Sequence, residues 1–123
     1  MLRQLPATRA KIEEFRHEKS TLHADNGLLK SQMHDIKERL AQLEAGDATC
    51  PVCRATIAPT DRERINAEWQ AEGKGYGDRY RANKGRMDEI DKALPILADE
   101  EKRLIDADRQ YAQRAGIITQ IEA

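Results

Sequence analysis

The sequence has few of the side chains that normally build a globular core. Aromatic residues make up 4% of its 123 residues, charged residues make up 35%, and the mean hydropathy is -0.81. A compact domain of this length needs more large apolar residues to offset its conformational entropy, whereas a two-stranded coiled coil buries only a narrow seam. The composition therefore predicts an elongated all-α protein.

Long apolar runs are also missing. No stretch approaches the roughly 20 apolar residues that cross a bilayer, and the first residues lack the apolar core of a signal peptide. The formal net charge of -1 gives no general attraction to nucleic acid or to a membrane surface. We expect a cytoplasmic protein without a membrane partner, in a compartment where a close cysteine pair favours metal or redox chemistry over a structural disulfide.

Catalytic and nucleotide-binding signatures are absent from the sequence. There is no GxxxxGK[ST] phosphate loop, and the two serines, Ser20 and Ser31, both fall within the first predicted helix. We therefore expect this chain not to be an enzyme. Any ATPase activity would reside in parts of a longer protein.

Heptad repeats fill most of the chain on either side of one loop. The first repeat predicts a coiled-coil helix over residues 1–46, ending at Gly46, and the second predicts a helix over residues 60–123. Thr60 and Glu63 fit a capping box at the start of the second helix. Residues 47–59 form the predicted loop, and helices joined by a short loop lie antiparallel.

A single register brings the two seams together. Residues whose numbers add to 109 then face each other, which places Asn26 opposite Asn83. A paired polar layer in an apolar seam costs stability but fixes the register, because a slip would bury each amide against hydrocarbon. Other predicted pairs are Ile12 with Leu97, Phe15 with Leu94, Leu29 with Tyr80, Met33 with Tyr76, and Leu40 with Trp69.

Three features predict irregularity or incompleteness in the second helix. Residues 73–77 hold three glycines, each costing up to about 1 kcal/mol in a helix, so unwinding or bending is expected there. Pro95 predicts a kink. The register leaves residues 109–123 without a facing strand although Tyr111 and Ile118 continue the repeat, so we expect the chain to be a piece of a longer arm.

The loop contains the only two cysteines, in the sequence Cys50-Pro51-Val52-Cys53. Two thiolates at this spacing can bind one zinc ion, but a structural zinc site needs four ligands. The nearest histidine, His34, lies twelve residues before Gly46, or about 18 Å along a helix. Half of the ligands therefore have to come from outside the chain, and a two-fold axis through one zinc shared by two chains would supply them.

The predicted dimer interface surrounds this metal. Val52 and Ile57 would form a small apolar contact beside Pro51, and Arg54 would offset the negative charge of four thiolates. Asp47 and Asp61 are close enough along the chain to be alternative ligands, although carboxylates are less usual in closed zinc sites. A redox-sensitive dithiol switch and an idle cysteine pair are the other interpretations.

A Cys-Pro-Val-Cys sequence in the loop of an antiparallel coiled coil resembles the zinc hook of SbcC and Rad-fifty type ATPases, which are relatives of the structural-maintenance-of-chromosomes (SMC) proteins. The resemblance covers residues 49–64 and the coiled-coil character of the rest. It implies that Cys50 and Cys53 bind zinc jointly with a second molecule. It also implies a parent protein whose ATPase heads work with a nuclease subunit to tether and process DNA ends in double-strand-break repair. Arg54 departs from the glycine common in the family at that position.

Direct DNA binding by this chain is the weaker alternative. Five cations lie within thirteen residues of the second helix, but acidic residues at 78, 88, 89 and 91 dilute them, so a solvated helix face is expected. The five are Lys74, Arg79, Arg81, Lys84 and Arg86.

Overall fold

Two long helices make up nearly all of the part of the chain that the structure describes. The computed structural model describes residues 4–45 and 58–122, with side chains up to residue 116. Helix α1 spans Gln4–Glu44 and helix α2 spans Pro59–Glu122. Within these ranges there is no strand, which confirms the prediction of an all-α protein.

The chain divides into two compact units. One contains Thr21–Arg86, and the other combines Met1–Ser20 with Met87–Ala123. In the Thr21–Arg86 unit, Leu43 near the end of α1 lines a cleft with Asn66 near the start of α2. Asn26, earlier in α1, forms a hydrogen bond with Asn83, later in α2. This unit is therefore an antiparallel helical hairpin.

The second unit also pairs α1 with α2 in antiparallel orientation. Arg9 Nε lies 3.3 Å from Glu101 Oε2, and Lys19 forms an ion pair with Asp91. Residues further along α1 therefore pair with residues earlier in α2. Ile12 and Ile90 are buried here.

Burial follows the heptad pattern in the Thr21–Arg86 unit. Leu29, Ile36 and Leu43 are buried at successive seven-residue steps, and Asn26 is buried at the alternate seam position. Leu28, directly beside Leu29 in the sequence, is 60% exposed. A seam this narrow is what a two-stranded coiled coil requires, and it explains how a sequence with few aromatic residues folds.

The start of α2 differs from the prediction. The helix begins at Pro59, and its first hydrogen bond runs from the Arg62 N–H to the Ala58 carbonyl at 2.9 Å. Ala58 therefore occupies the capping position, and the prediction of Thr60 as the cap is wrong. Proline suits the first helical position because the N–H that it lacks has no partner within the helix there.

The glycine-rich segment differs as well. Helix α2 is helical throughout residues 73–77, so the predicted unwinding does not occur. Helix α2 also includes Pro95. Neither described helix is long and apolar enough to cross a membrane.

Candidate functional site

The predicted metal ligands, Cys50 and Cys53, lie outside the described residues. The predicted interface residues do so too: Pro51, Val52, Arg54 and Ile57. What the structure describes is the pair of helix ends from which this segment departs. Helix α1 ends at Glu44, and helix α2 begins at Pro59.

The two helix ends are packed together. Leu43 is 1% exposed, and it lines a cleft of about 140 Å³ with Glu44 from α1 and with Arg62, Glu63 and Asn66 from α2. The last turn of α1 thus lies against the first two turns of α2. The intervening segment consequently leaves and re-enters the hairpin at the same end.

Asn66 is a polar residue on this packed surface that the sequence reasoning overlooked. Its side-chain oxygen is buried and has no hydrogen-bond partner among the described residues. Its number adds to 109 with that of Leu43, so the predicted register itself places an amide against leucine at the base of the loop. A buried acceptor without a donor costs free energy, and it marks the loop end of the hairpin as less stable than a purely apolar end.

The histidines all lie on α1, away from the loop. His34 is exposed, and its Nε2 lies 3.2 Å from Glu38 Oε1 on the next turn. It is ten residues before Glu44, or about 15 Å along the helix axis. Within the described residues, no group of three or more histidine, cysteine or acidic side chains could hold a metal ion, and Cys50 and Cys53 fall outside that range.

A polar layer crosses the Thr21–Arg86 unit near its end opposite Glu44 and Pro59. The Asn83 side-chain amide donates one hydrogen bond to Asn26 Oδ1 at 2.9 Å and another to Asp25 Oδ2 at 2.7 Å. The Asn26 amide in turn donates to the Tyr80 carbonyl at 3.3 Å. The predicted pairing of Asn26 with Asn83 is confirmed, and so is the register that placed them together in this unit.

Asp25 extends the polar layer to the surface. Arg79 Nη2 lies 3.2 Å from both carboxylate oxygens of Asp25, one of which also accepts from Asn83. This ion pair was not predicted, because the register analysis paired only seam positions and Asp25 and Arg79 lie beside the seam. The arrangement joins a buried amide, Asn26, and a half-buried amide, Asn83, to a charged pair in one hydrogen-bonded network.

Gly73 occupies a seam position that the sequence reasoning treated only as a helix-weakening residue. A Cβ atom built on Gly73 would lie 3.1 Å from Ile36 Cγ2, closer than most real Cβ contacts. The numbers of these residues also add to 109. The missing side chain therefore lets Ile36, which is buried, pack directly against the α2 backbone.

The pKa of Tyr76 is raised above its ordinary value. Its hydroxyl donates a 2.7 Å hydrogen bond to Glu72 Oε1 one turn earlier, and this bond is the main reason that the pKa of Tyr76 is raised. Desolvation and the negative charge of Glu72 act in the same direction, whereas Arg39 and Arg79 lower the pKa. The phenol therefore stays protonated at physiological pH.

The basic stretch of α2 is partly neutralised. Arg79 pairs with Asp25, and Arg81 pairs with Asp78 on the preceding turn. These pairs reduce the positive charge that a nucleic-acid backbone would meet on this face.

Neither comparison with known proteins adds an assignment. A scan against models of protein families finds no match to the chain, and a search of curated proteins finds none either.

Proposed function

We propose that this chain is a zinc-dependent homodimerisation module, in which Cys50 and Cys53 of two molecules bind one zinc ion between them. The observation that carries the proposal is the position of Cys50-Pro51-Val52-Cys53 between the packed ends of α1 and α2. A two-cysteine motif presented at the end of a hairpin is suited to meeting its equivalent on another hairpin.

The donor set fits zinc. Thiolates at a spacing of two residues are common zinc ligands, and four of them complete a tetrahedral structural site. This chain supplies two cysteines, and its histidines lie on α1 at least about 15 Å from the loop end of that helix. A second chain is the simplest source of the remaining ligands. When bound, zinc would supply much of the free energy that holds the two tips together, because the apolar contact from Val52 and Ile57 is small.

The hairpin supports this role by fixing where the loop begins and ends. The Asn26–Asn83 hydrogen bond specifies one register in the Thr21–Arg86 unit, and Leu43 packs the last turn of α1 against α2. A slip of α1 against α2 would change the length of chain available to the loop. The polar layer thereby supports a fixed position of the end of α1, Glu44, relative to the start of α2, Pro59.

The resemblance to the zinc hook extends the proposal to the parent protein. The module would join the coiled-coil arms of two SMC-like ATPases in DNA repair. Their head domains, with a nuclease subunit, would bind and process DNA ends. In that arrangement DNA contacts belong to the heads, in keeping with the ion pairs that Arg79 and Arg81 of this chain form with Asp25 and Asp78.

The proposal is tested by measuring molar mass and zinc content of the full chain together. We expect a dimer carrying about half an equivalent of zinc per chain, which a chelator converts to monomer and added zinc restores. A monomer that holds one full equivalent of zinc would show that the site is not shared.

Two variants sharpen this test. C50S/C53S should be monomeric with or without zinc, with an unchanged helical circular dichroism spectrum since both residues lie outside the helices. Asp61→Asn is the matched control, because a site made of four thiolates does not use this carboxylate. Zinc loss in Asp61→Asn would indicate a mixed site.

A redox switch remains the alternative function, since the same two cysteines can form a disulfide within one chain. It predicts a free-thiol count that falls with mild oxidant and returns with reductant, without any metal release. Under the zinc proposal, free thiols appear only when zinc is removed.

A further inference from the structure

Two clefts, one in each unit, lie along the helix pair, and they differ in whether their charged side chains form ion pairs within the chain. The larger, of about 500 Å³, lies in the unit that combines Met1–Ser20 with Met87–Ala123. Its charged lining residues are paired within the chain: Arg9 with Glu101, Arg16 with Glu13, and Asp91 with Lys19. This cleft therefore presents little unsatisfied charge to a partner.

The second cleft lies in the Thr21–Arg86 unit and has a volume of about 310 Å³. We call it the Trp69 groove. Four apolar residues line it, and of these Ile36 is buried whereas the other three are only half-buried. The four are Met33, Ile36, Leu40 and Trp69.

One lysine from each helix lies at this groove. Lys37 of α1 and Lys74 of α2 are exposed, and neither forms an ion pair with any residue that the structure describes. Other cations of the same unit do form such pairs, including Arg64 with Asp61 and Arg79 with Asp25. The groove thus joins an apolar floor to two positive charges without carboxylate partners in the described chain.

We propose that the Trp69 groove binds an acidic amphipathic helix of another protein. An apolar groove between two helices accepts the apolar face of a third helix, whose anchors recur at i, i+3 or i+4, and i+7. Met33 and Leu40 are seven residues apart, or about 10 Å, which matches two turns of such a helix. Carboxylates on the two flanks of that helix would pair with Lys37 and Lys74.

Trp69 gives the groove its expected binding energy. A half-buried tryptophan that becomes fully covered is a typical centre of a binding interface. Nucleic acid would satisfy the two lysines but leave the apolar floor uncovered, so the combination favours an acidic helix. The inference does not depend on zinc, because none of its residues lies in the cysteine-containing loop.

The chain contains a single tryptophan, so its fluorescence reports on this groove alone. The probe would be a set of helical peptides selected for binding the full chain from a library randomised on one helix face. We expect the selected peptides to be acidic, to carry apolar residues at the stated spacing, and to shift Trp69 emission to shorter wavelength. A selection that enriches no peptide, or enriches basic or neutral ones, overturns the proposal.

Matched charge variants test the two lysines. K37E/K74E should weaken peptide binding at least tenfold at low salt, and a new selection against it should favour basic peptides. K30E/K84E, which changes two exposed lysines that do not line the groove, should bind like the wild-type chain. Equal binding by both double variants would overturn the assignment.

The C50S/C53S chain distinguishes an acidic helix from the other possible occupants of the Trp69 groove, a second copy of the chain and nucleic acid. Peptide binding should be unchanged in it, which distinguishes failure of the groove from failure of the zinc site. If this chain self-associates in a manner that K37E/K74E abolishes, the occupant is a second copy and the proposed partner is wrong. Oligonucleotide binding that requires Lys37 and Lys74 but leaves Trp69 emission unchanged would overturn the proposal in favour of nucleic acid.

Discussion

Asn83 donates a 2.9 Å hydrogen bond to Asn26 across the helix pair, and Asn26 is 6% exposed. Their pairing places two amides in a seam otherwise formed by residues such as Leu29 and Ile36. Asn26 accepts from Asn83 and donates to the Tyr80 carbonyl, so both groups of this buried amide are paired only in this register.

Asn83→Ala should destabilise the chain by about 1–3 kcal/mol, since it leaves the buried Asn26 oxygen without its donor. The measurement is the urea midpoint followed by circular dichroism. Ser31→Ala, at an exposed position of the same hairpin, is the control and should change stability little. Equal effects from the two substitutions would show that the polar layer carries no specific energy.

Replacing both amides, as N26L/N83L, should have the opposite effect on stability. With no unsatisfied polar group left, the urea midpoint should equal or exceed that of the wild-type chain. Loss of register specificity should appear instead as broadened or multiple amide resonances in an NMR spectrum. Sharp, single resonances in N26L/N83L would mean that the apolar seam alone fixes the register.

Gly73 and Gly75 should respond differently to alanine. Gly75→Ala should stabilise α2 by up to about 1 kcal/mol, because nothing lies within 4 Å of the added methyl group. Gly73→Ala should gain less, since Ile36 Cγ2 lies 3.1 Å from the new atom and has to move. Gly73→Leu should destabilise by about 1–3 kcal/mol through overpacking. Equal thermal midpoints for the two alanine variants would contradict the close contact.

Leu43→Ala should cost about 2–5 kcal/mol, because Leu43 is 1% exposed where α1 ends. Leu28→Ala removes the same atoms from a side chain that is 60% exposed and should change stability by less than about 0.5 kcal/mol. Chemical denaturation of the two variants provides the comparison. Comparable losses would place Leu43 outside the core.

Glu72→Gln should lower the pKa of Tyr76 towards its usual value of about 10, because it removes the charged acceptor of the phenol. Because the pKa of Tyr76 is raised in the folded chain, the hydrogen bond from Tyr76 to Glu72 stabilises the fold below pH 10. This stabilisation is lost as the pH rises through the folded-state pKa. Tyrosinate absorbance followed against pH measures the shift. Glu68→Gln, which removes a carboxylate paired with Arg64, should leave the titration unchanged.

Chelation should lower the thermal midpoint of the wild-type chain if zinc binds the folded dimer in preference to the unfolded chain. This decrease should become smaller at lower pH, because protons compete with zinc for the thiolates of Cys50 and Cys53 and bound zinc then stabilises the dimer less. In C50S/C53S the midpoint should not respond to chelator. A response of equal size in this variant would place the stabilising metal elsewhere.

Much of the helical architecture could be predicted from the heptads, because a two-stranded seam depends on a regular spacing of residues. The Asn26–Asn83 pair followed from one numerical register. The ion pair between Asp25 and Arg79 could not be predicted in this way, because neither residue occupies a seam position and the pair forms through the long side chain of Arg79. Helix propensity alone did not predict that Gly73 faces Ile36, where an added Cβ atom would lie 3.1 Å from Ile36 Cγ2.

The candidate metal site stays a prediction from sequence. Its two cysteines were found by spacing, and their proposed second pair of ligands depends on a partner that one chain cannot specify. The predicted cap of α2, Thr60, was wrong by two residues, because Pro59 suits the first helical position and Ala58 is the cap.

The polar layer also has a mechanical consequence. A pull along α2 relative to α1 within the Thr21–Arg86 unit loads the pair in shear. Movement by one heptad would place Asn26 at the level of Tyr76 and would break its bonds to Tyr80 and Asn83 together. Sliding within this unit is therefore opposed by hydrogen bonds that all have to break before the helices can move by a heptad.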